Sequence, residues 1–163
     1  MIVAIFLFVQ DKFDLFNISW KEEGSVEELE GGEENIDANY VEIDTLSGVA
    51  VRVDVEIADN DAERSRGLSG RTYLGEFEGM LFIFDSEVDN LFWMKDMKIP
   101  LDIIFIDSQD KIVYISKNQQ PCTDTFCPSI SSDVSFQYVL EINSGFCEKN
   151  QIEAGCGMIQ YLE

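Results

Sequence analysis

Histidine is absent from this chain of 163 residues, which removes every Ser-His and Cys-His nucleophilic arrangement and all imidazole metal sites. Positive charge is scarce: 11 Lys and Arg stand against 32 Asp and Glu, for a net charge of −21 at pH 7. That field repels phosphate backbones and leaves little from which to build a basic groove, so nucleic acid is not an expected partner. A long apolar run is also missing. The longest one at the start, Met1 to Val9, is far shorter than the roughly 20 residues that span a bilayer. No glycine-rich phosphate loop occurs, because the glycines near Gly67 and Gly70 lack the Walker lysine and the dinucleotide spacing. No cofactor is expected.

What is present is apolar and aromatic. Hydrophobic residues make up 45% of the chain, with 12 Phe, 5 Tyr and 2 Trp, well above a disordered composition, and the length suits one domain. Self-repulsion at such a charge is relieved by salt, so a salty habitat would suit this composition. The alternative is that much of the excess sits in one solvated tail, as the charge distribution suggests.

Residues 1–20 read as the remnant of a signal or membrane anchor, with a short strand as the alternative. Residues 21–39 collect Glu and Gly and carry no Lys or Arg after Lys21, a self-repelling linker composition without calcium-ligand spacing. Residues 40–163 read as a single mainly β domain. Tyr40 to Ile43 and Val49 to Ile57 alternate apolar and polar residues around a Ser47-Gly48 turn. Asp59 or Asn60 caps a short helix ended by Gly67. Gly79 to Phe84, Leu91 to Met94, Leu101 to Ile106, Lys111 to Ile115, Phe136 to Ile142 and Gly157 to Leu162 read as further strands. Asp107 to Asp110 makes a hairpin turn, and Ser144 caps a second short helix through Lys149. About eight short strands and two small helices define an antiparallel β-sandwich or partly closed barrel, with short connections favouring antiparallel pairing.

Four cysteines allow two disulfides, a metal site or free buried thiols. Cys122 and Cys127 lie in one Pro-bounded loop that can bend back on itself. Cys147 and Cys156 are the candidates for a second bridge, and their wide gap fits zinc poorly. Disulfides would place the domain in an oxidising compartment outside the cytoplasm.

The informative feature is positive charge against the trend. Arg64, Arg66, Arg71, Lys95 and Lys98 lie in an otherwise strongly apolar stretch, and Asp102 sits within an apolar strand. Charges placed so deep need partners. Either Arg66 or Arg71 forms an ion pair with Asp102, or Arg66, Arg71 and Lys95, walled by Trp93, form a pocket for a small anionic or sugar-like ligand.

The same stretch carries a family likeness. Arg66-Gly-Leu68, Arg71, Gly79-Met-Leu81, Phe84, Phe92-Trp-Met94, Pro100-Leu-Asp102, Phe105, Tyr138-Val-Leu-Glu141 and Gly145 resemble, in order and spacing, the domain of unknown function 192 family. The resemblance covers about residues 49 to 162 and implies a small mainly β domain, often exported. In some members it includes a paired cysteine loop like Cys122 to Cys127. It implies no reaction and no catalytic residues. The chain departs from the pattern at Met97, Cys147 and Cys156.

These readings lead to one expectation: a noncatalytic, extracytoplasmic, monomeric binding or interaction domain. Its candidate site is Arg66, Arg71, Trp93, Lys95 and Asp102, and it meets a membrane only through an N-terminal anchor. The alternatives are a small hydrolase or lyase using carboxylates and Lys95, and a purely structural module.

Overall fold

The structure is a computed structural model that describes residues 39–163. The anchor remnant expected at residues 1–20, and the acidic linker up to its last residue, lie outside the described residues. The elements in chain order are β1 (Tyr40–Ile43), β2 (Val51–Ala58), α1 (Asp61–Arg66), β3 (Glu78–Val88), β4 (Phe92–Trp93), β5 (Leu101–Ile106), β6 (Ile112–Gln119), β7 (Ser129–Ile130), β8 (Phe136–Asn143), α2 (Phe146–Lys149) and β9 (Met158–Tyr161). No helix among them is long and apolar enough to cross a membrane.

Seven strands form one sheet in the order β6-β5-β8-β3-β2-β1-β9, curled into a half-barrel, and β4 pairs with β7 in a small second sheet. Of the two architectures the sequence allows, the molecule adopts the partly closed barrel. The outer strands approach each other where the Ile112 amide donates to the Cys156 carbonyl at 2.9 Å and the Met158 amide to that of Asp110 at 2.9 Å. One pair departs from the antiparallel expectation, since β2 and β3 run parallel from Asp54↔Glu78 to Ala58↔Phe82. Parallel neighbours need a long crossover, and the segment containing α1 and the loop to Phe77 supplies it.

Strand alternation sorts the core into two layers. The enclosed face gathers Val41, Ile43, Val53, Val55, Leu81, Ile104, Ile106, Leu140 and Ile142 around Phe146, Cys147, Ile152 and Cys156. The opposite face carries Met80, Phe82, Phe84, Ile103, Phe105 and Val139, covered by Leu68 and Leu74 after α1 and by Met94, Met97 and Ile130. Edge-on ring contacts knit this second layer, with centroids 4.9 Å apart for Phe105 and Phe136 and 5.4 Å for Phe82 and Phe92. β3 and β8 meet closely because position 79 is glycine: a Cβ there would stand 2.8 Å from the Glu141 carbonyl oxygen.

α1 is capped as the sequence suggests: Asn60 Oδ1 accepts from the Glu63 amide at 3.1 Å, and the Gly67 amide donates to the Glu63 carbonyl at 2.8 Å. α2 is capped differently. Gly145, at φ 83, precedes it and offers no side chain, and the Ser144 hydroxyl instead bonds Asn118 Oδ1 at 2.8 Å. The free donor at the start of α2 is met by Asp102, whose Oδ2 accepts from the Cys147 amide at 3.0 Å while Oδ1 accepts from the Asn118 amide at 2.8 Å.

Two expectations are corrected here. The ion pair between Asp102 and Arg66 or Arg71 does not form. β5 sends Asp102 to the enclosed face with Ile104 and Ile106, whereas α1 and its loop pack on the other side of the sheet. Cys122 and Cys127 are bridged, with Cα atoms 5.8 Å apart, but Cys147 and Cys156 are free thiols buried in the enclosed layer. Cys156 packs there as a small apolar group, whereas burial and the neighbouring Asp102 carboxylate raise the pKa of the Cys147 thiol.

Asp102 therefore links β5, β6 and α2 through backbone amides and forms no ion pair. Asp102→Ala leaves two amide donors without their acceptor, and urea denaturation should show a loss of about 2 to 5 kcal/mol. A neutral result would mean that water replaces the carboxylate.

Candidate functional site

A cleft of about 630 Å³ opens on the outer side of the sheet, lined by α1 and residues 67–69, by Asn90 to Lys95 with Asp96 and Met97, and by Phe82, Phe84 and Glu141 from β3 and β8. One wall is α1, held against β3 by Arg64. That guanidinium donates to the carbonyls of Asp59 at 2.6 Å and Ile83 at 2.7 Å, pairs with Asp61 at 2.7 Å, and lies 5.2 Å from the Phe84 ring centroid. Its hydrogen bonds are committed to the fold.

The other wall is short and irregular, so its placement depends on the disulfide loop. Phe92 and Trp93 pair with Ile130 and Ser129. The Cys122 amide donates to the Met94 carbonyl at 2.9 Å, and the Asp96 amide to the Cys122 carbonyl at 3.1 Å. The Cys122–Cys127 bridge thus anchors the strip that presents Trp93 and Lys95. The Gly70 amide reaches the Asp96 carbonyl at 3.0 Å and ties the two walls together. Asp96, at φ 59, turns the chain out of this strip.

The candidate residues divide cleanly. Arg66, Trp93 and Lys95 line the cleft, and neither cation has a hydrogen bond or ion pair among the described residues. Arg71 stands outside it, in a two-pronged pair with Glu56 whose second contact, Nη2 to Oε2, is 2.8 Å. That pair pulls the Glu56 carboxyl below its ordinary range and raises the Arg71 guanidinium. Asp102 is on the far face of the sheet. Among the described residues no group of three or more Cys, Asp and Glu side chains is placed to hold a metal ion.

Glu141, named from the sequence only as part of the family likeness, is the residue that site reasoning missed. It is 5% exposed and lies on β8 opposite Met80 and Ile103, so it faces the cleft layer. Its neighbours along this face are satisfied: Gln137 donates to the Phe84 carbonyl at 3.2 Å, and Asn143 to those of Leu74 and Gly75 at 3.1 and 2.8 Å. The Glu141 carboxyl has no hydrogen-bond or ionic partner among the described residues and opens onto the cleft. Burial pushes its pKa up from 4.5 to about 8. The signal was an acid inside the apolar run Tyr138-Val-Leu-Glu-Ile142, but only the register showed which face it takes.

Fold and cleft together define a class, a small β half-barrel with an aromatic-lined cleft outside its sheet. Over residues 42–159 the sequence matches the DUF192 family, described as Uncharacterized ACR, and the chain belongs to that family. Two crystal structures share the fold. One is a protein from Sinorhizobium meliloti 1021, named as a candidate transcription regulator, at 31% identity and a TM-score of 0.70 over 76% of this chain and 94% of its own. The other is a protein of unknown function from Novosphingobium aromaticivorans DSM 12444, at 32% identity and a TM-score of 0.68 over 74% and 83%. No curated protein matches the sequence.

The raised carboxyl has a signed consequence. Between its ordinary 4.5 and about 8 the unfolded chain has released a proton that the folded chain retains, so Glu141 makes stability fall as pH rises. For one such group the slope approaches ~1.4 kcal/mol per pH unit. Urea denaturation of Glu141→Gln and the parent chain from pH 5 to 9 should show the variant gaining on the parent up to about pH 8. Parallel curves would place the carboxyl in contact with water.

Proposed function

We propose that the domain binds a small ligand noncatalytically, outside the cytoplasm, with Arg66 and Lys95 receiving an anionic group of that ligand beside Trp93. The carrying observation is that these two cations, in a molecule with a large excess of acids, line an open cleft and form no hydrogen bond or ion pair among the described residues, although Arg66 lies within the electrostatic reach of Glu56 and Glu63. A purely structural module would use such charges in closed pairs, as Arg64 and Arg71 are used. The regulator name of the Sinorhizobium protein does not alter this reading, because the charge of −21 still opposes contact with a phosphate backbone.

A second reading, a small hydrolase or lyase, draws on one specific observation. Glu141 retains its proton near neutral pH within an apolar cleft, as a general acid must. Turnover of a ligand, dependent on Glu141, would favour it over simple binding.

Thermal shift on the oxidised chain tests the binding reading. Inorganic phosphate or acetate should raise Tm, and Arg66→Ala with Lys95→Ala should remove most of that rise without lowering the unliganded Tm by more than a few degrees. Saccharide-induced shifts that survive the double substitution would move the ligand elsewhere.

The extracytoplasmic reading is supported by the Cys122–Cys127 bridge. Protein taken from its native cells under acid quench and alkylation should yield the linked peptide by mass spectrometry. Free thiols at both positions would remove that reading.

A further inference from the structure

Resting on that binding reading, we propose that the ligand is a zwitterion whose alkylated ammonium end enters the cleft against Glu141 and whose anionic end stays at the rim with Arg66 and Lys95.

The cleft has two chemically different depths. Its buried lining is Leu68, Phe82, Phe84, Met97 and Glu141, an apolar and aromatic surface with a single carboxyl. Its polar lining, which includes Asp61, Arg66, Lys95 and Asp96, is exposed except for Arg64, which is half-buried and whose hydrogen bonds are taken by Asp61 and the carbonyls of Asp59 and Ile83. A saccharide pushed to the bottom would bury hydroxyls with one group to meet them, and each unmet hydroxyl costs its desolvation. A simple anion would meet the carboxyl there. An alkylated ammonium loses no hydrogen bonds on entry, keeps its charge inside an apolar jacket, and gains both the aromatic faces and the carboxylate. The partnerless state of Glu141, beside the satisfied Gln137 and Asn143, is what such a cation would complete.

Charged groups around Glu141 come from each flanking element. α1 contributes Arg64, already paired with Asp61, and Arg66; the strip after β4 contributes Lys95 and Asp96. Beyond Met80, Glu56 is paired with Arg71. On β5 the one acid, Asp102, faces away. A bound cation favours the ionised carboxylate, so the ligand displaces the Glu141 proton. Affinity should then rise with pH until the carboxyl is ionised without help.

Isothermal titration of the full chain with glycine betaine is the test. The expected result is one site, affinity rising roughly tenfold per pH unit between pH 6 and 8, and proton release seen as a heat that depends on buffer ionisation. Glu141→Gln should weaken betaine at least about tenfold and flatten the pH profile. Arg66→Ala with Lys95→Ala should weaken betaine while sparing tetramethylammonium. Rescue of the pH profile in Glu141→Asp would place the effect on the carboxyl rather than on folding. If phosphate or acetate binds at the rim but betaine and tetramethylammonium do not, the zwitterion is overturned and the binding reading stands. If affinity falls as pH rises, Glu141 acts as a neutral donor and the proposal is likewise overturned. If none of the four probes binds, both readings fall together.

Discussion

The curled sheet is a partition, and the two-residue alternation of its strands decides what each polar group can meet. Asp102 and Ile103 are neighbours in the chain but point to opposite sides, as do Leu140 and Glu141. The two buried acids consequently have different fates. Asp102, on the enclosed side, accepts from amides of β6 and α2 and forms no ion pair. Glu141, on the outer side, finds no hydrogen-bond partner among the described residues and opens on a cleft, and burial raises its pKa. One-residue slippage of either strand would exchange these environments, so the tight packing of β8 over Gly79 bears on the site as well as on the fold.

The walls of the cleft are irregular chain, and each is stabilised by other means than strand pairing. Arg64 fastens α1 to β3 through two carbonyls and Asp61, using a cation to build the wall rather than to bind. The strip carrying Trp93 and Lys95 is held by a two-residue pairing with β7 and by backbone bonds to Cys122. A disulfide in that loop limits how far the strip can move, which gives it a role in preorganisation beyond its modest effect on stability. The cations left over, Arg66 and Lys95, stand exposed at the mouth of the cleft in an otherwise acidic molecule.

Much of this architecture could be read directly from the chain. Alternating valines marked β2, the Asn60 to Gly67 interval marked α1, and the Pro-bounded pair Cys122 and Cys127 marked the bridged loop. Short-range rules suffice for such features because turns, caps and strand periods are properties of a few consecutive residues. They fail for Ser144, because the donor it was expected to satisfy is reached by a strand more than forty residues away. They also fail for Cys147 and Cys156, whose separation in sequence says nothing about what lies between their sulfurs.

For the candidate site the division is sharper. The sequence alone established that a few cations are embedded among aromatic strands in an anionic, histidine-free chain, because composition and local hydropathy are visible in one dimension. Only the tertiary structure decided which of them are held in direct pairs: Arg71 by Glu56, Arg64 by Asp61 and backbone carbonyls, but neither Arg66 nor Lys95 among the described residues. It also decided that Asp102 and Glu141 lie on opposite sides of one sheet. The reason is register: pairing between β3, β5 and β8 sets the face of every side chain at once, and no single strand contains that information.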